Sequence, residues 1–126
     1  MELLNFKGKA LVALYSGSCA ENPKPPSGFK IGSSLTTEDP DLIDLFAVCL
    51  ADKYRETTGL NPTFDVINPD HPSYHIFRDI DPETTAVRME MGSLMSDRHI
   101  LAENPDAAAS GIAEGIICFL ETRTED

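Results

Sequence analysis

Apolar and polar residues alternate most regularly in residues 84–97. In an extended chain, successive side chains point to opposite faces, so this segment has one apolar and one charged face. The apolar face carries Val87, Met89 and Met91, and the other carries Arg88 and Glu90. Gly92 allows the chain to leave a sheet, and residues 93–102 have the spacing of a short helix. The pattern predicts a strand that brings Glu90 to the end of a sheet, where α/β folds place their chemistry.

The rest of the chain alternates predicted strands with predicted helices. Four more segments have strand patterns: residues 10–15, 29–31, 63–67 and 74–80. Asp39 and Pro40 are suited to begin a helix that ends at Gly59, and Asn104-Pro105-Asp106 repeats that start for a last helix. This order predicts an α/β fold, a layered α/β/α sheet flanked by helices, in a single domain over residues 1–126.

Each long helix has an apolar stripe that is expected to face the sheet. In the first helix the stripe consists of Leu42, Leu45, Phe46, Cys49, Leu50 and Tyr54. In the last helix it consists of Ala109, Ile112, Ala113, Ile116, Phe119 and Leu120.

Three segments of the C-terminal third resemble the zinc-dependent N-acetylmuramoyl-L-alanine amidases. Residues 86–92 resemble that family's last strand, which carries a glutamate before a glycine, and residues 94–97 resemble the turn that follows. Residues 110–116 resemble an Ala-Ile-Ala-Glu-Gly-Ile run in its final helix. Fainter matches over residues 11–18, 27–29 and 54–60 extend the resemblance to nearly the whole chain.

The resemblance implies an amidase-type α/β fold, truncated, and a catalytic role for Glu90. The family cuts the amide bond between the glycan and the stem peptide of peptidoglycan, using zinc held by two histidines and a glutamate. By resemblance, the region holding the first two zinc ligands lies before this chain, and the third ligand falls on Tyr15. The family's cofactor is zinc, but we expect no cofactor in this chain.

The surroundings of Glu90 also depart from the family pattern. Arg88 stands where the family has an aliphatic residue, and a guanidinium within reach would favour an ionised Glu90 in an ion pair over a general acid. Ser93 replaces a large apolar residue, and Asp97 replaces an asparagine. These changes predict a degenerate or incomplete hydrolase, inactive alone.

The histidines offer another metal site. His71 and His75 are four residues apart beside Asp70, a spacing found in zinc sites, although Pro72 prevents the helix that would place both on one face. The alternative is a surface loop with incidental histidines, which we favour. His99 is expected at a helix rim.

The three cysteines have no paired spacing. Cys49 and Cys118 fall on apolar helix faces and are interpreted as buried free thiols. Cys19 lies in a polar loop, and no histidine is near it in sequence to make it a nucleophile.

The formal charge of -11 repels nucleic acids and anionic membranes, so neither is an expected partner. It also disfavours tight binding to an anionic cell wall. With no signal-peptide pattern and no apolar run that could span a bilayer, the chain as it stands is expected to be cytoplasmic.

Two functions follow. The first is a peptidoglycan amidase-like domain whose metal ligands are missing or come from another chain. The second is a non-catalytic binding or assembly domain with the same fold. The second function is favoured if the family's first strands are absent, because residues 10–15 would then form an open sheet edge. Either the lead-in of residues 1–9 or a second copy of the chain must cover that edge, and we expect a homo-oligomer. The resemblance makes a peptidoglycan fragment or peptide the candidate ligand. The loop of residues 16–34 would share a sheet end with Glu90 if the strands are parallel, which leaves a small-molecule binding domain open, and no residue in the loop specifies a ligand.

Overall fold

The computed structural model describes residues 8–17, 23, 25–34, 39–67, 75–78 and 80–123. These residues contain four strands and four helices. In chain order they are β1 (Ala10–Gly17), β2 (Phe29–Ser34), α1 (Pro40–Thr58), β3 (Pro62–Ile67), α2 (His75–Arg78), β4 (Thr85–Ser93), α3 (Arg98–Leu101) and α4 (Pro105–Arg123).

The strands form one mixed sheet in the order β1-β4-β2-β3. The pairs β1–β4 and β2–β3 are parallel, whereas β2 and β4 are antiparallel. The last strand in sequence therefore lies in the interior of the sheet, between β1 and β2. The predicted α/β sheet with flanking helices is confirmed, and so is the central role of the strand that carries Glu90.

The predicted start of both long helices and the predicted end of α1 are confirmed. The Asp39 side chain accepts a hydrogen bond from the Leu42 N–H at the start of α1. Gly59 ends α1 in the left-handed conformation, with φ of 78°, and its N–H donates to the Arg55 carbonyl. Pro105 opens α4 as Pro40 opens α1. Local sequence signals thus fix both ends of α1 and the start of α4.

The helices α1 and α4 pack directly on each other through glycines. A Cβ at Gly111 would lie 2.8 Å from the Tyr54 Cα, and a Cβ at Gly115 would lie 2.8 Å from the Leu50 Cα. The predicted stripe of α4 is partly wrong, because Ala109 and Ala113 are exposed while the helix buries its glycine face. Close approach of two backbones favours glycine over alanine, and a hydrophobicity pattern does not register that preference.

A single apolar core joins these helices to the sheet. Phe46 of α1 stacks on Phe119 of α4 with ring centroids 4.7 Å apart. On the sheet side, the core contains Val87 and Met89 of β4, both completely buried. The predicted apolar face of β4 is therefore the face that meets the helices.

Cys49 and Cys118 form a disulfide between α1 and α4, with their Cα atoms 5.7 Å apart. Our interpretation of both as free thiols is wrong. Their sequence separation of 69 residues hides the pairing, which the contact between the two helices creates.

The predicted strand over residues 74–80 is also wrong. Residues 75–78 form the short helix α2, and Ile80 makes an isolated bridge. A short apolar run fits both periodicities, so pattern alone does not separate a strand from one helical turn. Among the described residues, no helix combines the length and apolar character needed to cross a membrane.

Candidate functional site

Glu90 lies in a row of polar residues that crosses all four strands. In the strand register, Glu90 pairs with Tyr15 of β1 on one side and with Lys30 of β2 on the other. Lys30 in turn pairs with Thr63 of β3. Register partners project from the same face of a sheet, so this face is opposite the one that packs on α1.

The cation paired with the Glu90 carboxylate is Lys30. The Lys30 Nζ lies 3.9 Å from the Glu90 Oε2, and the two side chains are 51% and 25% exposed. The predicted partner was Arg88. Residues two apart along a strand are separated by roughly 7 Å, whereas cross-strand partners have Cβ atoms about 5 Å apart, so a neighbouring strand supplies the nearer charge.

Arg88 instead covers the ring of Tyr15, with its Cζ 4.3 Å from the ring centroid. The Arg88 Nε is buried and has no hydrogen-bond partner among the residues that the structure describes. Stacking on an aromatic face holds the guanidinium by a cation–π interaction. The position that the resemblance assigns to a zinc ligand is thus a tyrosine whose ring is covered by a guanidinium.

Gly17 gives the Glu90 carboxylate room at the end of β1. A Cβ at Gly17 would lie 3.1 Å from the Glu90 Oε1 and 3.0 Å from the Gly92 carbonyl oxygen. The register of β1 against β4 also shifts between Tyr15 and Gly17. A larger residue at Gly17 would push the carboxylate out of its position.

An open cleft of about 240 Å³ lies beside Glu90. We call it the Glu90 cleft. Its lining consists of Gly17, Pro25, Pro26, Ser27, Gly28, Phe29, Lys30, Thr63, Glu90 and Ser93. The later part of the predicted loop, residues 25–28, therefore does reach the sheet end where Glu90 lies.

Asp97 holds one wall of this cleft in place. The carboxylate is completely buried and accepts hydrogen bonds from the Ser27 hydroxyl, from the Gly28 N–H at 3.2 Å and from the Ser93 N–H at 2.8 Å. Residues before β2 are thereby tied to the turn after β4. In the sequence, Asp97 is marked only as a replacement for the asparagine of the family pattern. Its position in a turn after a strand was the one available signal, and it does not reveal partners about 70 residues away.

Tyr54 also helps to hold the end of β4 and the turn after it. Its hydroxyl donates to the Met91 carbonyl at 2.8 Å. Burial and the negative charge of Asp97 raise the pKa of Tyr54 well above its ordinary value. The phenol therefore stays protonated and acts as a hydrogen-bond donor.

The described residues around Glu90 do not suit a zinc ion. Within those parts of the chain, no three His, Cys, Asp or Glu side chains come together to hold a metal. The groups nearest the carboxylate include the Lys30 ammonium, which would repel a cation. His99 lies exposed on α3, while Cys19, His71 and the side chain of His75 fall outside the described residues.

No protein-family model matches the sequence, and no curated protein matches it. Several solved structures do match the fold of this chain. The amidase of Clostridium difficile 630 superposes with a TM-score of 0.68 at 18% identity, over 90% of this chain and 58% of that one. The CwlV catalytic domain from Bacillus (Paenibacillus) polymyxa var. colistinus gives a TM-score of 0.65 at 20% identity, with the same coverage. Both are N-acetylmuramoyl-L-alanine amidases.

The chain has the fold of an amidase catalytic domain. A third structure, the CwlD amidase from Clostridioides difficile in complex with the GerS lipoprotein, has a TM-score of 0.68 at 16% identity and covers 95% of this chain. The amidase fold implied by the resemblance is confirmed. The chain spans 58% of the length of each of these three structures.

Proposed function

We propose that this chain is an N-acetylmuramoyl-L-alanine amidase-like domain that binds peptidoglycan fragments in the Glu90 cleft and does not hydrolyse them alone. The observation that carries the proposal is the pairing of Glu90 with Lys30 inside an amidase fold. Glu90 retains the position that the resemblance gives to a catalytic carboxylate. The Lys30 ammonium lies beside the Glu90 carboxylate, and the described residues contain no cluster of metal ligands.

The cleft has the chemistry needed for a peptide-like ligand. Glu90 offers an acceptor for N–H groups, Lys30 offers a donor for carboxylates, and Thr63 adds a hydroxyl. The distance between the Lys30 and Glu90 charges is long for an ion pair, and both side chains are partly exposed. Breaking the pair to bind a ligand therefore requires little free energy. A muramoyl-L-alanine unit presents both amide and carboxylate groups to such a site.

The disulfide supports action outside the cytosol, where peptidoglycan lies. Disulfides persist in oxidising compartments and are rare in cytosolic proteins. The Cys49–Cys118 bridge therefore argues against the predicted cytoplasmic location, which stays untested.

The test combines metal analysis with ligand binding. We expect the purified chain to bind no zinc in elemental analysis and calorimetry, to bind muramyl-L-alanyl-D-isoglutamine, and to release no free peptide from it. Glu90→Ala should weaken binding. Stoichiometric zinc that is lost in a His71→Ala, His75→Ala double variant would contradict the proposal and restore an independent hydrolase.

A second candidate is a non-catalytic assembly domain that forms a homo-oligomer. It is favoured by β1, which is an end strand of the described sheet, and by Leu14 on that strand, which is 45% exposed. Light scattering tests it directly. A dimer that Leu14→Lys dissociates would support this function, and a monomer at working concentration would exclude it.

A further inference from the structure

A second concave site lies at the β3 edge of the sheet, on the side that faces the helices, between β3 and the first half of α1. We call this cavity of about 320 Å³ the β3 groove. Apolar groups of Ala47, Val48, Phe64 and Val66 line it, with Asp44 and Asp65 at its sides. None of the residues that line the Glu90 cleft lines this groove.

The apolar lining of the β3 groove is unusually open to solvent. Phe64 and Val66 are each 55% exposed, and Val48 is 51% exposed. In the register, Phe64 pairs with Ile31 and Val66 with Ser33, so both side chains project on the helix side of the sheet. Val48 on α1 completes the same surface, and a contiguous exposed apolar surface of this kind marks an interaction site.

The backbone of β3 adds a second binding feature. Within the described sheet β3 is the end strand and pairs only with β2. Among the described residues, none forms a strand on the outer edge of β3, and an extended chain that paired with its N–H and C=O groups there would extend the sheet by one strand.

We propose that the β3 groove binds an extended segment of another protein in which apolar residues alternate with basic ones. A strand added to β3 would place every second side chain on Val48, Phe64 and Val66. The remaining side chains of the added strand would project from the opposite face of the sheet. Asp65, which pairs with Gly32 between Phe64 and Val66, projects from that same face, so its carboxylate selects basic residues at those positions. Asp41, one helical turn before Asp44, is exposed and adds to the negative charge.

The same charges disfavour a second copy of this chain in the groove. A homodimer through β3 would bring together two acidic edges of chains that each carry a formal charge of -11. The negative charge around the groove attracts a basic partner and repels a second copy of this acidic chain. The groove is thus assigned to a different protein, independently of the ligand in the Glu90 cleft.

The test uses synthetic seven-residue peptides that carry a fluorophore. The probe alternates lysine with valine. One control has glutamate at each lysine position, and another has proline at the central valine, which removes a backbone donor and breaks the added strand. We expect the lysine probe to bind, with an affinity that falls as salt is raised. We expect each control to bind at least about tenfold more weakly, which corresponds to the loss of one or two good contacts.

Two protein variants locate the binding site. Val66→Lys places a like charge and a longer side chain in the groove and should weaken the lysine probe at least about tenfold. Leu14→Lys makes the same change at the opposite sheet edge and should leave binding unchanged. Equal effects of the two variants, no binding of the lysine probe, or a dimer that Val66→Lys dissociates would each overturn the proposal.

Discussion

Glu90 and Lys30 face each other across the antiparallel pair β4–β2, with carboxylate and ammonium 3.9 Å apart. The pair lies at an open cleft and is half-exposed on the lysine side. Because water screens it, the pair contributes little to folding, and its charges remain available to a ligand. The first prediction separates these two roles.

Glu90→Gln should change the free energy of unfolding by less than about 1 kcal/mol, since exposed ion pairs are worth no more than that. It should weaken binding of the muramyl dipeptide about tenfold or more, because a hydrogen bond to a charged group is lost. Urea unfolding and calorimetric titration measure the two effects. Glu56→Gln, which removes the exposed Lys53–Glu56 pair of α1, is the matched control and should leave binding intact. A large loss of stability with unchanged binding would make Glu90 a structural residue.

Asp97→Asn should destabilise the fold by about 1–3 kcal/mol. The carboxylate accepts from three donors on its two oxygens. An asparagine can keep its oxygen for the two N–H groups only if its NH₂ donates to the Ser27 hydroxyl, and all three charge-assisted hydrogen bonds then become weaker neutral ones. Urea unfolding measures the loss, and Ser27→Ala should cost less. Asp52→Asn on the exposed face of α1 controls for the charge change and should be near neutral. An Asp97→Asn variant as stable as the wild type would show that the carboxylate is not needed to hold the cleft wall.

Removing the disulfide should cost about 2–5 kcal/mol, since the bridge closes a long loop between α1 and α4. Urea unfolding of a Cys49→Ala, Cys118→Ala double variant measures this cost. A reductant should lower the stability of the wild type and leave the double variant unchanged. Thiol titration of the unfolded, unreduced chain should detect only Cys19. Three free thiols would contradict the bridge.

The stability of the protein should fall as the pH rises above about 10. The folded state holds the Tyr54 pKa above its ordinary value of 10.0, because of burial and then of the Asp97 charge. Below that pH the phenol is protonated in both states, and above it the unfolded chain releases the proton first, which favours unfolding. Urea unfolding at several alkaline pH values measures the slope.

Tyr54→Phe supplies the control for that pH dependence. It should flatten the alkaline slope and cost about 1 kcal/mol at neutral pH, because the hydrogen bond to the Met91 carbonyl is lost. An unchanged slope in Tyr54→Phe would assign the alkaline transition to another group.

Prediction from the sequence succeeded where the signal is local. The capping residue Asp39 and the terminating Gly59 set the ends of α1, and the alternation around Met89 identified β4 and its buried face. It failed for residues 75–78, where a short run fits two periodicities, and for the face of α4 that carries Gly111. In both cases tertiary packing decided between local alternatives that the sequence left close in energy.

The sequence by itself determined the α/β class, both ends of α1, the start of α4 and the delivery of Glu90 to a sheet end. Only the tertiary structure decided what surrounds that carboxylate: Lys30 from β2, Tyr15 under Arg88, and a cleft wall fixed by Asp97. It also decided the Cys49–Cys118 bridge. The physical reason is that caps and periodicities act within a few residues, whereas these contacts join positions that become neighbours only through strand order and helix packing. The local sequence pattern of either segment does not indicate that the two positions will be in contact.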